Sequence, residues 1–261
     1  MGIVNITPDS FSDAGLILSV DAALALCVDM LKQGADILDL GAESTRPGAQ
    51  PVSAETELAR LLPVLDAALT LGCPVSVDTH KPEVMVQALA HGADIINDIN
   101  ALRSPGALQH VAAHPSCGVC LMHMRGTPST MQSELKYQGD VVVEVRDFLR
   151  GRSELLQTQG IAAQRIVLDP GIGFGKSVAH NIELLRRQSE LLVLDQPLLL
   201  GWSRKSTLGA ITGRDLSQRL AASVAAALAA VQAGARIVRV HDVGPTVDAL
   251  RVWAAAGLGH R

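Results

Sequence analysis

The chain has 261 residues, which suits one α/β barrel-sized unit better than two ordinary domains. A net charge of -4 and an aromatic content of 2% argue against a basic nucleic-acid surface and a base-stacking platform. Four cysteines (Cys27, Cys73, Cys117 and Cys120) are too few for a disulfide framework in so long a chain, and no run of about 18 apolar residues is free of charges and breakers, so no membrane span is expected. The start, Met1-Gly2-Ile3-Val4-Asn5, lacks the basic region and apolar run of a signal peptide. A cytoplasmic protein is the expectation.

In chain order, the first apolar run covers residues 2–6 and the second 36–40. A helix follows near Ser53, with Glu55 and Glu57 in its first turn, where the helix dipole favours acids. Runs at 74–77 and 94–97 come next, then a helix opened by Ser104-Pro105 as N-cap and first helical residue. Further runs lie at 118–122, 165–168 and 197–201. An alanine-rich helix over 219–233 precedes the last run at 236–240. All eight runs are rich in Val, Ile and Leu with little polar alternation, as in parallel strands buried on both faces.

A weak repeat supports this order. Gly34-Ala35-Asp36-Ile37, Gly92-Ala93-Asp94-Ile95 and Gly234-Ala235-Arg236-Ile237 each close a helix and open a strand. The glycine fits the position just past a helix end, where φ is often positive. Alternating βα units with about eight strands predict a single-domain α/β fold, a (β/α)8 barrel. An open doubly wound sheet remains the alternative.

Polar residues gather just after the runs. Asn5, Thr7, Asp9 and Asp13 follow the first, and Glu43, Thr45 and Arg46 the second. Asp78, Asn97-Asp98, Met122-His123 and Asp169 end the next four, Ser203 to Ser206 follow the seventh, and Arg239 and His241 the eighth. In a barrel these project at the C-terminal face of the strands, where barrel enzymes keep their sites. Asp78, Asn97 and Asp169 suit the donors and acceptors of a flat, nitrogen-rich heterocycle, because a carboxylate accepts two N–H bonds side by side. Arg46, Lys205, Arg239 and His241 suit an anion clamp, three of them in the usual barrel phosphate region. Blander readings stand beside these: Asp78 as an N-cap for a helix near Pro82, Arg239 as an ion-pair partner of Asp242, and His123 as a packed histidine.

Three further patterns fail. The segment 171–177 resembles a P-loop, but Pro170 stands where the first glycine is needed, and Lys176 breaks the Rossmann spacing. It reads instead as a flexible, ligand-facing turn. Cys117 and Cys120 form a single CxxC leading into a strand, which reads as buried, inert thiols.

Asn5 to Asp13 (NITPDSFSD) and Gly41 to Gly48 (GAESTRPG) resemble the two signatures of the dihydropteroate synthases. SVDT at 76–79, IND at 96–98, LMHM at 121–124, LDPG at 168–171, SRKS at 203–206 and RVHDV at 239–243 follow in family order across essentially the whole chain. The resemblance implies a TIM barrel. It also implies that Asp78, Asn97, Asp169 and Lys205 hold a pterin, with Met122 and Phe174 packed near it. Asn5 would meet Mg2+, the implied cofactor. Asn5, Thr45, Arg46, Arg239 and His241 would form the pyrophosphate side, and Phe11, Pro47 and Ser203 the 4-aminobenzoate pocket. Lys205, Arg239 and Asp13 would be catalytic, Asp13 facing the developing pterin cation. Members of the family usually carry an extra strand pair ahead of the position of Met1, and the chain reads as lacking it. A homodimer and a sulfonamide target are further implications. The rivals are a corrinoid-linked methyltransferase acting on methyltetrahydrofolate and a non-catalytic pterin-binding paralogue.

Overall fold

The computed structural model describes residues 1–7, 19–45, 48–128, 130–131, 135 and 137–258. Eight strands run in sequence order: β1 (Gly2–Asn5), β2 (Leu38–Gly41), β3 (Val75–Asp78), β4 (Ile95–Asp98), β5 (Gly118–Met122), β6 (Ile166–Asp169), β7 (Leu198–Leu200) and β8 (Ala235–Val238). Neighbours pair in parallel from β1 through to β8. The sheet then closes on itself. The Ile3 N–H donates to the Val240 carbonyl at 2.9 Å, and the Val240 N–H donates to the Met1 carbonyl at 3.0 Å. This closure selects the barrel over the open doubly wound sheet.

The helices are α1 (Val20–Lys32), α2 (Ala54–Leu69), α3 (Pro82–His91), α4 (Ala107–Ala113), α5 (Val141–Thr158), α6 (Val178–Arg186), α7 (Ser206–Thr212), α8 (Leu220–Gln232) and α9 (Val243–Ala255). Their ends follow local chemistry. Ser53 caps α2 by accepting the Thr56 N–H, and Asp140 caps α5 by accepting the Val142 and Val143 N–H groups. Gly34, Gly92 and Gly234 all have φ near +100°, so the repeated glycine does end α1, α3 and α8 in the left-handed region. The expected start at Ser104-Pro105 is corrected: α4 begins at Ala107, with left-handed Gly106 before it. The Ser104 hydroxyl donates instead to the His80 carbonyl at 2.8 Å, which removes it from a capping role.

Strand periodicity divides the interior in two. Val4, Leu38, Leu40, Val75, Val77, Ile96, Val119, Leu121, Ile166 and Leu168 face outward and join the main apolar core beneath the helices. The intervening residues face the barrel axis, and several are polar: Asp39, Ser76, Asn97 and Asp169 are all buried. No helix among the described residues is long and apolar enough to cross a membrane. All four cysteines carry free thiols, and burial pushes those of Cys27 and Cys117 up to about 11.

Candidate functional site

The inward positions of the strands form rungs. Asn5, Gly41, Asp78, Asn97, Cys120 and Val167 occupy one rung, and Met122 pairs with Asp169 on the next. Above them, at the C-terminal ends of the strands, lies a cavity of about 470 Å³. Every described candidate lines it: Asn5, Thr45, Asp78, Asn97, Met122, Asp169, Phe174, Ser203, Lys205, Arg239 and His241. Phe11, Asp13, Arg46 and Pro47 lie outside the described residues.

A buried charge cluster sits at the floor. The Arg239 Nε donates to Asp39 Oδ2 at 2.5 Å, and its Nη2 donates to Asp78 Oδ2 at 2.7 Å. Asn97 Nδ2 donates to the same Asp39 oxygen at 3.2 Å. Burial alone would weaken protonation of Arg239, but the Asp39 and Asp78 carboxylates outweigh it and hold the guanidinium charged. Burial pushes the Asp78 carboxyl well above the usual range, against the pull of Arg239 and with Asp39 adding to the rise. Asp78 Oδ1 is buried and has no hydrogen-bond partner. A desolvated acceptor of this kind costs about 1–3 kcal/mol, so it is poised for a donor from a ligand.

A β-bulge aims Arg239. Leu198 pairs with Ala235, but Leu199 pairs with Ile237, leaving Arg236 as an extra residue in β8. One inserted residue reverses the side-chain alternation beyond it. Ala235 therefore joins the outer core, whereas Arg239, four positions on, turns into the barrel. The Asp242 partner considered for Arg239 belongs instead to Arg204, with Nη2 to Oδ1 at 2.6 Å and Nε to Oδ2 at 3.1 Å. Asp78 likewise caps nothing, since the cap residue of α3 is Lys81, without a side-chain bond.

The loop after β6 carries the apolar wall. Lys205 Nζ lies 4.2 Å from the centroid of the Phe174 ring, and burial lowers its ammonium to about 8. Gly173 has φ +84°, which favours glycine, and a Cβ there would lie 3.2 Å from Lys205 Cδ, so the lysine stem would have to shift slightly. Ile99, Met122, Met124 and Met131 form a small apolar cluster against Phe174. The ligand-facing turn expected at 171–177 does face the cavity, which Ile172, Gly173 and Phe174 line. Buried Lys176 laces the loop together, with Nζ at 3.0 Å from the Gly171 carbonyl, 3.1 Å from that of Phe174 and 3.2 Å from that of His123. It also meets His123 Nδ1 at 2.9 Å. His123 is packed edge-on to Phe148, with burial and Lys176 lowering its pKa to about 2, so the ring is neutral. Asp169 accepts the Gly171 N–H at 2.7 Å, and burial raises its carboxyl despite that bond.

On the opposite wall, Ser203 Oγ accepts the His241 N–H at 3.1 Å and meets His241 Nδ1 at 3.0 Å. Thr45 lies in the loop after β2, whose two ends Glu43 ties down. Its Oε1 accepts the Val52 N–H at 2.9 Å, and its Oε2 takes Lys81 Nζ at 2.7 Å and His80 Nε2 at 3.2 Å. Lys81 also donates to buried Glu57 at 2.6 Å.

Asp39, Ile99, Met131 and the roles of Glu43 and Lys176 escaped the sequence reading. A signal existed for Asp39, a charge between Leu38 and Leu40 in an apolar strand. None existed for Ile99 or Met131, which look like any core residue.

The family model for pterin binding enzymes matches residues 1–241. The chain is 53% identical to a dihydropteroate synthase of Neisseria meningitidis serogroup B, over 99% of this chain and 92% of the relative. The Xanthomonas albilineans dihydropteroate synthase with 4-aminobenzoic acid superposes with a TM-score of 0.92 at 50% identity, covering 98% of this chain and 92% of the other. The Burkholderia cenocepacia dihydropteroate synthase complexed with 7,8-dihydropteroate gives a TM-score of 0.88 at 49% identity, covering 98% and 90%.

Proposed function

The chain belongs to the dihydropteroate synthases, a family of pterin-binding transferases, and from that premise we propose that it joins 6-hydroxymethyl-7,8-dihydropterin pyrophosphate to 4-aminobenzoate with release of pyrophosphate. The observation that carries this reading is the partnerless Asp78 Oδ1 at the cavity floor, beside Asn97 and Asp169. A pterin edge offers N–H donors in a row, and these acceptors meet them. Ile99, Met122, Met131 and Phe174 supply the flanking apolar surface.

The leaving group is assigned to the polar side chains Lys205, Arg239, His241 and Thr45, which line the same cavity. As the CH2–O bond lengthens, negative charge grows on the pyrophosphate oxygens and positive charge spreads into the pterin ring. Fixed cations stabilise the first without reorganising, and the Asp78 and Asp169 carboxyls stabilise the second. Once the C–O bond has broken, the arylamine nitrogen attacks the methylene carbon of the pterin cation, forms the C–N bond and loses its proton to solvent. Ser203 lines the cavity and is proposed to border the arylamine position.

The site fits a Mg2+ ion carried in on the pyrophosphate. Such an ion keeps several waters and takes only one or two protein oxygens beside the phosphates. The Asn5 side chain lines the cavity and would supply one amide oxygen, while no group of three His, Cys, Asp or Glu side chains that could cage a metal exists among the described residues. When bound, the ion would neutralise charge on the departing oxygens. A homodimer in the cytoplasm is the proposed setting.

The test is incubation with pterin pyrophosphate, 4-aminobenzoate and Mg2+, followed by chromatography for dihydropteroate. Product formation is expected. A folded protein that binds the pterin but makes no dihydropteroate, or that instead demethylates methyltetrahydrofolate with a corrinoid acceptor, would overturn the reading.

A further inference from the structure

Two loops of the cavity are joined by consecutive residue pairs. Ser203 meets His241, and the next residues on each side, Arg204 and Asp242, form a two-bond fork. Between Ser203 and Lys205 the chain makes a tight turn, with the Lys205 N–H 3.2 Å from the Trp202 carbonyl. Arg204 is the third residue of that turn and has φ +60°. That position normally goes to glycine, because a Cβ is strained there.

The strain is over-determined by its surroundings. The Arg204 N–H donates to Ser223 Oγ at 2.9 Å, and its carbonyl accepts from Arg219 Nη1 at 3.2 Å. Ser223 and Arg219 sit at the start of α8, and the Ser223 hydroxyl is itself directed by the Arg219 carbonyl at 2.7 Å. The side chain completes the hold through Asp242. Left-handed residues that are not glycine persist where neighbouring groups enforce them, and they gather at functional sites.

We propose that the Arg204–Asp242 pair is a positioning clamp. It holds Arg204 left-handed, so that Ser203 and Lys205 stay in the cavity and the β7 loop stays in register with the loop carrying Arg239 and His241. The inference rests on the synthase reading for its substrates. Its chemistry is conformational: without the clamp, a smaller fraction of the protein has a competent turn. Apparent affinity falls by that fraction, while saturating substrate restores the competent state. The clamp is part exposed, yet its planar fork gives it more definition than a single surface contact.

The test compares Arg204→Ala, Arg204→Gly, Asp242→Ala and Asp242→Asn by steady-state kinetics, with wild-type enzyme alongside. Arg204→Ala and Asp242→Ala are expected to raise KM for both substrates about tenfold, the loss set by a strained left-handed residue, with kcat changed less than about twofold. Arg204→Gly is expected to bring KM most of the way back, because glycine takes the turn without a clamp, and the double variant Arg204→Gly/Asp242→Ala should match it. Asp242→Asn, which keeps volume and one acceptor, should give an intermediate KM and decides the matter if the alanine variants do not fold. The proposal is overturned if Arg204→Gly is as impaired as Arg204→Ala, or if both Asp242 variants keep wild-type KM values. An inactive wild type would overturn the synthase reading instead.

Discussion

Asp39 and Arg239 are 200 residues apart in the chain and meet inside the barrel, Oδ2 to Nε at 2.5 Å. Asp39 is fully buried, and the same guanidinium reaches on to Asp78. The three side chains thus form one linked cluster at the cavity floor. Replacing Asp39 by Ala leaves a part-buried guanidinium with one carboxylate and the Asn97 amide with no acceptor. Losing one member of a buried pair costs about 3–5 kcal/mol. Urea unfolding of Asp39→Ala should show a loss of that order, with turnover falling sharply. An unchanged midpoint would mean that Asp39 contributes nothing to the site's framework.

Lys176 is buried, yet it bonds to three carbonyl oxygens. Lys176→Met keeps the stem and removes the donors, and each orphaned acceptor costs about 1–3 kcal/mol, offset in part by the removal of a desolvated charge. Weaker pterin binding and a lower urea midpoint at neutral pH are expected. Burial lowers the ammonium from 10.5 to about 7. Between those values the unfolded chain binds the extra proton, so this group adds stability as pH rises through the window. The difference between wild type and Lys176→Met should therefore grow from pH 7 to pH 10.5 and stay flat below pH 7. A difference independent of pH would contradict the lowered ammonium.

Glu43 shows the opposite sense of linkage. Burial raises its carboxyl, but hydrogen bonds from His80, Lys81 and the Val52 N–H outweigh it and lower the pKa from 4.5 to about 2. A lowered folded-state value means stability that is fully present above pH 4.5 and lost as pH falls toward 2. Glu43→Gln should flatten the acid limb of the stability curve in that window. His80 is raised by the same contact, so its share is present below its ordinary 6.5 and fades as pH rises through the folded value. Denaturant melts at several pH values check both signs, and an identical acid limb in the two proteins would refute the Glu43 assignment.

In the proposed reaction, Asn5, which lines the cavity, would offer one oxygen to a metal-bearing pyrophosphate. Asn5→Ala is therefore expected to shift the Mg2+ concentration for half-maximal activity upward several-fold, on the order of 1 kcal/mol of lost coordination, while the fold survives. Activity titrated against Mg2+ measures this. Loss of activity that no Mg2+ concentration restores would place Asn5 on the substrate rather than the ion.

Much of the framework could be read from local patterning. Each of the eight apolar runs became a strand within about two residues, because parallel strands covered by helices need apolar side chains outward and few charges anywhere. The glycines at 34, 92 and 234 could be placed because positive φ is a local demand. The site divided differently. Asp78, Asn97 and Asp169 were visible as polar strand ends, but Asp39 sits one rung deeper and has meaning only once Arg239 is seen to reach it. The bulge at Arg236 is a matter of register between two strands, which no single strand reveals. Lys176 stands in sequence within a likeness of a nucleotide loop, whereas its role comes from carbonyls brought together by the fold. The start of α4 was missed because Ser104 found a partner in a neighbouring loop, the His80 carbonyl.

The central claim is that the cavity couples arylamine attack to loss of pyrophosphate. The most direct measurement is pyrophosphate release from the pterin pyrophosphate in the presence of Mg2+, with and without 4-aminobenzoate. Release should depend on the arylamine and match dihydropteroate one for one. Equal release without the arylamine would show that water is the nucleophile and would contradict the account.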